Sequence, residues 1–307
     1  MWVCGTWTQG GGVYQFKPHV GAVPRLDFDP LDGHKLLSTS YDGSVRRMDV
    51  EKGAFEQARR RVYANEEMDD VIITYSHLLG EERLLLLSDG DGGITAVDLR
   101  TNQQARRVWK RQAHEKKTNT VHAHPMNRHV FVTASLDRTV KLWDARQLGA
   151  GTGENHIGGM LPIAEMPHFR SVNSAHFSPS GEWLATVGQD DKLRLYRDVE
   201  KAAASEQSSV SPVHSLPHNN QTGRWLTKFQ ASWDPKSEAL FAIGSMQRGP
   251  HGMHLYSVPS GEKMTRPSAV ALTGGDIMTS IQSLAVFHPK RNVIAGVNSS
   301  GRVHVFM

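Results

Sequence analysis

The chain has 307 residues, of which 38% are hydrophobic, with a mean hydropathy of −0.44 and a net charge of +4. This length suits two ordinary domains or one large all-β or repeat domain. The sequence lacks both a long apolar run for a membrane-spanning helix and the pattern of a secretory signal, so no membrane partner is expected. The single cysteine, Cys4, excludes an internal disulfide framework and suits a reducing compartment.

A short phrase that ends in proline occurs five times along the chain. It reads LDFDP, VHAHP, AHFSP, ASWDP and AVFHP, and ends at Pro30, Pro125, Pro179, Pro235 and Pro289. Alternate positions are mostly apolar, as in a half-buried strand, and the proline cannot continue a hydrogen-bond ladder. The first two prolines lie about two periods apart, which indicates that one copy between them has lost the phrase.

Each phrase is followed by a second strand, a polar turn and a third strand. Six copies of this unit run from KLLSTSYDGSVRRMDV to NVIAGVNSSGRVHVFM. Because no segment shows a sustained helical period, we predict an all-β chain forming a single domain over residues 1–307. The predicted units are an N-terminal strand region, 1–16, and six repeats at approximately 17–50, 62–100, 108–146, 163–198, 213–258 and 270–307.

The segment VFVTASLDRTVKLWDAR, residues 130–146, resembles the WD40 family. The resemblance implies a β-propeller with one four-stranded blade per repeat. It also implies a structural hydrogen-bonded set made of His114, Ser135 (or Thr133), Asp137 and Trp143.

The sequence leaves two options for the number of blades. The family usually has seven blades and only six repeats are visible, so we expect one upstream blade to be missing or incomplete. The alternative is a six-bladed ring closed by VYQF, residues 13–16, at the outer edge of the last blade.

The resemblance also assigns the loops to faces. Connections from an outer strand to the next inner strand, and from second to third strands, open on one face, here called the top face. Third-to-outer connections open on the bottom face. Three histidines, His19, His114 and His168, each precede the third residue of the proline phrase by nine positions, whereas His218 precedes the matching Trp233 by fifteen. Six residues are therefore inserted on the top face, within NNQTGRW, residues 219–225.

This insertion places a cation and a flat ring beside a glycine on the top face. Cations neutralise phosphates, while a planar side chain stacks on a base or wedges into a weakened step. The predicted DNA-binding residues are Gln221, Gly223, Arg224, Trp225, Lys228, Lys116, Lys117, Arg138 and Arg248. The alternative is that Trp225 packs down on its blade and Arg224 is simply solvated.

The bottom face carries an Asp-x-Arg pattern at the ends of two consecutive repeats. Asp98 and Arg100 form one pair, and Asp144 and Arg146 form the other. Two arginines on adjacent blades would suit docking to an acidic or carbonyl-rich partner; the alternative is ordinary turn closure. The box FVTASLDRTVKLWDAR resembles those of substrate receptors for DNA damage-binding protein 1, the adaptor of the cullin-4 ligase.

Motifs for catalysis are absent from the sequence. No GxxxxGK[ST], HExxH or GxSxG occurs, so we expect neither an enzyme nor a cofactor. His122 and His124 would share one strand face, but no third ligand has a suitable spacing and no metal is expected. The long bottom connections, 147–162 and 199–212, are predicted to be flexible.

Three runs carry a more specific resemblance: TGRWLTKFQASWDPK, NSSGRVHVFM and GVYQFKPH. They resemble the family of WD-repeat protein 76 and its fungal counterparts, relatives of DNA damage-binding protein 2, over nearly the whole chain from Gly12. In that relative a hairpin enters the lesion at the place taken here by Gly223, Arg224 and Trp225.

The resemblance implies a nuclear protein, with a cytoplasmic pool as a further option, that binds damaged DNA, including UV-damaged DNA. It would act in the damage response and in DNA repair, with the cullin-4 ligase and chromatin proteins as further partners. The alternative is a protein-interaction scaffold, a chromatin or chaperone adaptor that does not bind DNA.

Overall fold

The computed structural model describes residues 2–5, 13–29, 32–55, 63–64, 71–79, 83–100, 108–149, 160–204, 209–222, 227–246, 251–259, 266–298 and 300–307. These residues form an all-β, six-bladed propeller, which confirms the predicted fold class. A separate hairpin precedes the blades and pairs β1 (Trp2–Gly5) with β2 (Val13–Phe16).

The blades follow one another in chain order, and neighbouring strands are antiparallel. The first contains β3 (Arg25–Asp29), β4 (Asp32–Thr39), β5 (Ser44–Asp49), β6 (Ala54–Phe55) and β7 (Tyr63–Ala64). The second contains β8 (Ile73–Leu79), β9 (Leu84–Asp89), β10 (Gly93–Asp98) and β11 (Val108–Gln112). The third contains β12 (Thr118–Ala123), β13 (Val130–Ser135), β14 (Thr139–Asp144) and β15 (Ala164–Pro167).

The remaining blades repeat this order. The fourth contains β16 (Val172–Phe177), β17 (Trp183–Gly188), β18 (Lys192–Arg197) and β19 (His214–Pro217). The fifth contains β20 (Ser232–Trp233), β21 (Leu240–Gly244), β22 (Gly252–Ser257) and β23 (Ser268–Thr273). The sixth contains β24 (Gln282–Phe287), β25 (Ile294–Asn298) and β26 (Val303–Phe306).

The core lies between adjacent blades and not inside any one of them. One cluster joins Val132 and Leu142 of the third blade to Ala175 and Leu184 of the fourth. Since both faces of an inner strand are covered, strands such as β13 and β17 are buried at every position. Propeller packing therefore explains why these strands read as continuous apolar or small-residue runs.

A hydrogen-bonded set closes the top edge of the third blade. The ring of His114 contacts Asp137 Oδ2 through Nδ1 at 2.8 Å and Thr133 Oγ1 through Nε2 at 2.6 Å. Trp143 Nε1 donates to the same threonine oxygen at 2.7 Å. The hydroxyl is thus supplied by Thr133, whereas Ser135 donates to the carbonyls of residues 116 and 117. The two side chains share one face of β13, but Ser135 ends the strand beside the connection that carries residues 116 and 117, whereas Thr133 lies two positions further into the blade.

The sixth blade has three strands among the described residues, and one of its faces is open. Two cross-strand rows lie on that face, Leu284 with Val297 and Val303, and Val286 with Ala295 and Val305. Val286, Val303 and Val305 are each more than half exposed. The segment VYQF does not pair with β26, because it forms β2 and pairs with β1. A ring closed by this segment is therefore wrong for this structure.

The two bottom connections predicted to be flexible are partly ordered. Val199–Ala204 forms the short helix α1, and Val199 and Val210 are buried in the core between the third and fourth blades. A 3-10 helix, Ala145–Leu148, begins the other connection, of which residues 150–159 lie outside the described part. Composition alone missed the few apolar residues that anchor these segments. No helix in the described ranges is long and apolar enough to cross a membrane.

Replacing Thr133 by valine tests the role of the hydrogen-bonded set. Thr133→Val keeps the shape of the side chain but leaves His114 and Trp143 without their shared partner, so we expect a loss of about 2–4 kcal/mol in the free energy of unfolding. Urea denaturation measures this loss. The control is Thr95→Val, at a buried strand threonine that forms no side-chain hydrogen bond with the described residues and should change stability by less than about 1 kcal/mol. Equal losses in the two variants would contradict the assignment.

Candidate nucleic-acid interface

The bond between His114 and Asp137 shows that an outer-to-inner connection and a second-to-third turn meet on one face of the molecule. The connections that carry Lys117 and Lys228 belong to the same class, since they lead into the inner strands β12 and β20. Their side chains therefore approach each other across the top of the ring, although they are far apart in sequence.

Lys228 is a half-buried cation held by a neutral partner. Its Nζ donates to Asn119 Oδ1 at 2.9 Å, while the Nδ2 of that asparagine donates to the carbonyl of Val172 at 2.6 Å. The second bond fixes the amide so that its oxygen faces the lysine. Burial, with a further contribution from the positive charge of Lys117, lowers the pKa of Lys228 to about 8.

Lys117 lies beside this lysine and over an aromatic ring of the first blade. Its Nζ is 5.3 Å from the centroid of Tyr41, a geometry that supports a cation–π contact. Burial lowers the pKa of Lys117 as well. Three blades thus contribute to one small basic site, here called the lysine pair, which consists of Lys117, Lys228, Asn119 and Tyr41.

No carboxylate in the described ranges lies within ion-pair distance of Lys117 or Lys228. Most other lysines and arginines that are even partly buried do have such partners, for example Lys35 with Asp49 at 2.7 Å. Two desolvated cations that share only an amide oxygen and a ring form an incompletely neutralised site. The arrangement can receive an anion without losing an internal ion pair.

Three further residues of the predicted interface have other surroundings. Lys116 is exposed, and its carbonyl accepts a hydrogen bond from Ser135. Arg138 is exposed at a turn position with φ 74°, where the first blade has Gly43 at 73°. Gln221 donates through Nε2 to Asp191 Oδ2 at 3.1 Å and to a carbonyl of the fourth blade, which gives it a local structural role.

Four predicted residues lie outside the described part of the chain: Gly223, Arg224, Trp225 and Arg248. Their role at the interface stays a prediction. Conversely, the sequence analysis missed Asn119 and Tyr41. The phrase HEKKTNT contained Asn119 beside the two selected lysines, but nothing in it indicates a contact with a residue 109 positions away.

The two Asp-x-Arg pairs on the bottom face have the same geometry. Arg100 places Nε 3.0 Å from Asp98 Oδ1 and Nη2 2.7 Å from Oδ2, and Arg146 places the same atoms at 2.9 and 2.6 Å from Asp144. Each aspartate also accepts the backbone N–H of its arginine. The side chains of Arg100 and Arg146 remain 55% and 71% exposed, so each turn is closed in the ordinary way and still presents a fixed guanidinium to solvent.

Histidines of three adjacent inner strands, β8, β12 and β16, lie together. His122 lies between His77 and His176, with ring centroids 4.2 and 5.0 Å away, and Tyr75 contacts His176 at 3.1 Å. Burial lowers the pKa of His77 to about 4, so the ring is neutral at neutral pH. His124 turns elsewhere and contacts Glu200. Within the described ranges no three His, Cys, Asp or Glu side chains are grouped so as to hold a metal ion.

The fold and the hydrogen-bonded sets define the class of protein: the chain is a WD40 β-propeller. The family model described as "WD domain, G-beta repeat" matches residues 105–144 and 162–197, which contain strands β11–β14 and β15–β18.

Homologues of this chain are named WD repeat-containing protein 76 and DNA damage-binding protein CMR1. The chain is 36% identical to WD repeat-containing protein 76 of Mus musculus over 296 residues, 96% of this chain and 43% of the relative. It is 31% identical to DNA damage-binding protein CMR1 of Chaetomium globosum over 300 residues, 95% of this chain and 54% of the relative. The chain thus spans about half the length of these relatives.

Among solved structures, one chain of "Crystal Structure of Mitotic Checkpoint Complex" superposes with a TM-score of 0.68. The match covers 97% of this chain and 78% of that chain at 16% sequence identity. At this identity the likeness supports the fold alone.

Proposed function

We propose that this WD40 protein acts in the DNA damage response and binds DNA through its top face. The observation that carries the proposal is the lysine pair, in which two desolvated cations lack an acidic partner among the described residues. The name of the CMR1 relatives, DNA damage-binding protein, agrees with such a role. The corresponding location would be the nucleus.

The energetics of the lysine pair favour a phosphate ligand. Burial and mutual repulsion disfavour the charged form of Lys228, and a phosphate between the two ammonium groups would remove both penalties. Asn119 holds Lys228 in place before the ligand arrives, so little side-chain entropy is lost on binding. Tyr41, 39% exposed beneath Lys117, offers a flat surface beside the anion.

The predicted insertion would extend this site. Its described end, Thr222, is buried, and Lys228 follows six positions later. Arg224 and Trp225 lie between them in sequence and are proposed to contact the nucleic acid next to the lysine pair. Arg138 and Lys116 supply further exposed cations on the third blade.

A second candidate function is docking of a ubiquitin-ligase adaptor on the bottom face. The observation that favours it is the matched geometry of Arg100 and Arg146. Each guanidinium is held on its aspartate through Nε and Nη2, and its side chain stays more than half exposed to solvent. We propose DNA damage-binding protein 1, the adaptor of the cullin-4 ligase, as the partner.

Removing the lysine pair should weaken DNA binding in a salt-dependent way. For Lys117→Ala with Lys228→Ala, we expect at least about tenfold weaker binding at physiological salt and a slope of log K against log [salt] that is shallower by about 2. Fluorescence anisotropy with intact and UV-irradiated duplexes measures both quantities.

The matched control for this experiment removes two lysines from the bottom face. Lys52 and Lys201 are 77% and 81% exposed and lie in third-to-outer connections. Lys52→Ala with Lys201→Ala makes the same change in net charge and should leave both quantities nearly unchanged. Equal effects in the two double variants would refute a localised site, and a folded wild type that does not bind DNA would favour the protein-interaction scaffold.

The pH dependence of binding should report the lowered pKa of Lys228. A lysine with a pKa near 8 loses its charge as pH rises from 7 to 9, so DNA affinity should fall by up to about tenfold across this range if the charged form is required. Lys228→Arg keeps the charge throughout and should remove most of that fall. Parallel pH profiles for wild type and Lys228→Arg would show that this lysine does not contact the phosphate.

Docking on the bottom face is tested by Arg100→Ala with Arg146→Ala. Each aspartate can still accept the backbone N–H of its turn, so the fold should persist while adaptor binding weakens by at least about tenfold. Purified DNA damage-binding protein 1 in a pull-down or interferometry assay measures this. The exposed Arg291→Ala, in the sixth blade, serves as the control. Full binding by the double variant would assign both pairs to turn closure alone.

A further inference from the structure

The residue that follows the blade histidine faces solvent in four blades. It is Val20 in the first blade, Glu115 in the third, Phe169 in the fourth and Asn219 in the fifth, and each is exposed. The histidine before it is buried in every case, so the next side chain is turned to the outside of the top face. Folding therefore places no demand for a large apolar side chain at this position, and the phenylalanine of the fourth blade calls for another explanation.

Phe169 stands beside a cation on the top face. Its side chain belongs to a residue that is 79% exposed, and Arg170, the next residue, is exposed as well. In the described ranges no other ring stacks on Phe169 and no carboxylate forms an ion pair with Arg170. Single exposed apolar side chains are common on protein surfaces, so the meaning of this one depends on its surroundings.

The connection that carries the two residues, 168–171, is held at both ends. The N–H of His168 donates to the carbonyl of Arg138 at 2.8 Å. Ser171 Oγ donates to the carbonyl of Leu136 at 3.0 Å, and the carbonyl of the same serine accepts the N–H of Gln189 at 2.8 Å. The two middle residues thus project from a fixed support, and a side chain presented in this way loses little conformational freedom when it binds a ligand.

Two hydrogen-bonded routes tie this connection to the lysine pair. The turn that accepts the serine hydroxyl also donates the N–H of Leu136 to the carbonyl of Lys117, at 3.0 Å. Asn119, which holds the second lysine, donates through Nδ2 to the carbonyl of Val172, the residue directly after the connection, at 2.6 Å. The exposed ring therefore has a fixed position next to the proposed phosphate site.

The surroundings of the ring favour an anionic ligand. Arg170 follows the ring in the chain, and Arg138 is exposed on the adjacent turn of the third blade. The carboxylates of the two neighbouring second-to-third turns have internal partners: Asp137 contacts His114, Asp190 is paired with Arg194, and Asp191 accepts a hydrogen bond from Gln221. A cation, a flat ring and a second cation thus lie in succession, which is the arrangement that binds phosphates and stacks on bases.

We propose that Phe169 stacks on an unpaired base of damaged DNA, while Arg170 and Arg138 contact the neighbouring phosphates. This inference rests on the proposed DNA binding and adds the residue that distinguishes a damaged duplex from an intact one. It does not depend on the predicted insertion that contains Arg224 and Trp225.

The preference for damage follows from the accessibility of the base. In an intact duplex every base is paired and stacked inside the helix, so a ring on the protein surface cannot reach its flat face. A lesion that breaks pairing frees a base at little cost in stacking energy. Every base has a flat π face, so one aromatic side chain recognises the loss of pairing irrespective of sequence.

The test uses the whole chain and two duplexes of one sequence, one intact and one in which a single adenine faces a sugar without a base. Both carry the same number of phosphates, so the ratio of their affinities, measured by fluorescence anisotropy, isolates the unpaired base. Wild type should prefer the duplex with the unpaired adenine. Phe169→Leu keeps an apolar side chain but removes the flat ring and should reduce this preference at least about fivefold, whereas Phe169→Tyr should retain it.

Two further variants separate stacking from charge and from general apolar contact. Arg170→Ala should weaken both duplexes by the same factor and make the salt slope shallower by about 1, because a phosphate contact carries no information about the bases. Leu161 is also 79% exposed but lies in a third-to-outer connection, on the bottom face. Leu161→Ala should leave both affinities and their ratio unchanged.

Three results would overturn the proposal, and they separate it from the proposed function. An unchanged preference in Phe169→Leu, or an equal loss of affinity for both duplexes, would show that the ring does not read the unpaired base, while DNA binding by the lysine pair would stand. A wild type that binds both duplexes equally would have the same meaning. A folded wild type that binds neither duplex would refute both proposals and assign the exposed ring to a protein partner.

Discussion

A buried imidazole whose two nitrogens both have partners is the constraint on which the first, third and fourth blades depend. In the first and third blades the ring joins the outer-to-inner connection to the second-to-third turn, through Asp42 and Asp137 respectively. The connection is thereby fixed at one end by the histidine and at the other by the inner strand. Since a buried polar group without a partner costs about 1–3 kcal/mol, the set specifies the geometry of the top face as well as stabilising it.

That geometry explains why cations meet at the channel mouth. Lys117 follows His114 by three positions, at the end of a connection of fixed length, so its side chain has little freedom to leave the ring of inner strands. Lys228 reaches the same place from a longer connection and is held by Asn119. The two charges are brought together by the propeller and not by local sequence, which is how a modest net charge of +4 yields a concentrated basic site.

The features of the fold that follow from the repeat were predicted from the sequence. The repeated pattern of period two predicted the all-β class and the order of strands, while the faces of the loops came from the resemblance to the WD40 family. Contacts between distant blades were not predictable: Lys228 with Asn119 joins residues 109 positions apart and leaves no local pattern. Whether Ser135 or Thr133 supplies the hydroxyl to the hydrogen-bonded set could be decided only once the strand register was known. Helix α1 was missed because a few buried residues, Val199 among them, order a segment whose composition is that of a linker.

The basic site of the top face arises where the repeat is broken before the fifth blade. The connection that leads into β20 is longer than the others, and it brings Lys228 beside Lys117. Asn119 then holds Lys228 at a fixed position. Departures from an otherwise consistent pattern are where functional sites are expected, because folding alone gives a repeat no reason to bring two desolvated cations together.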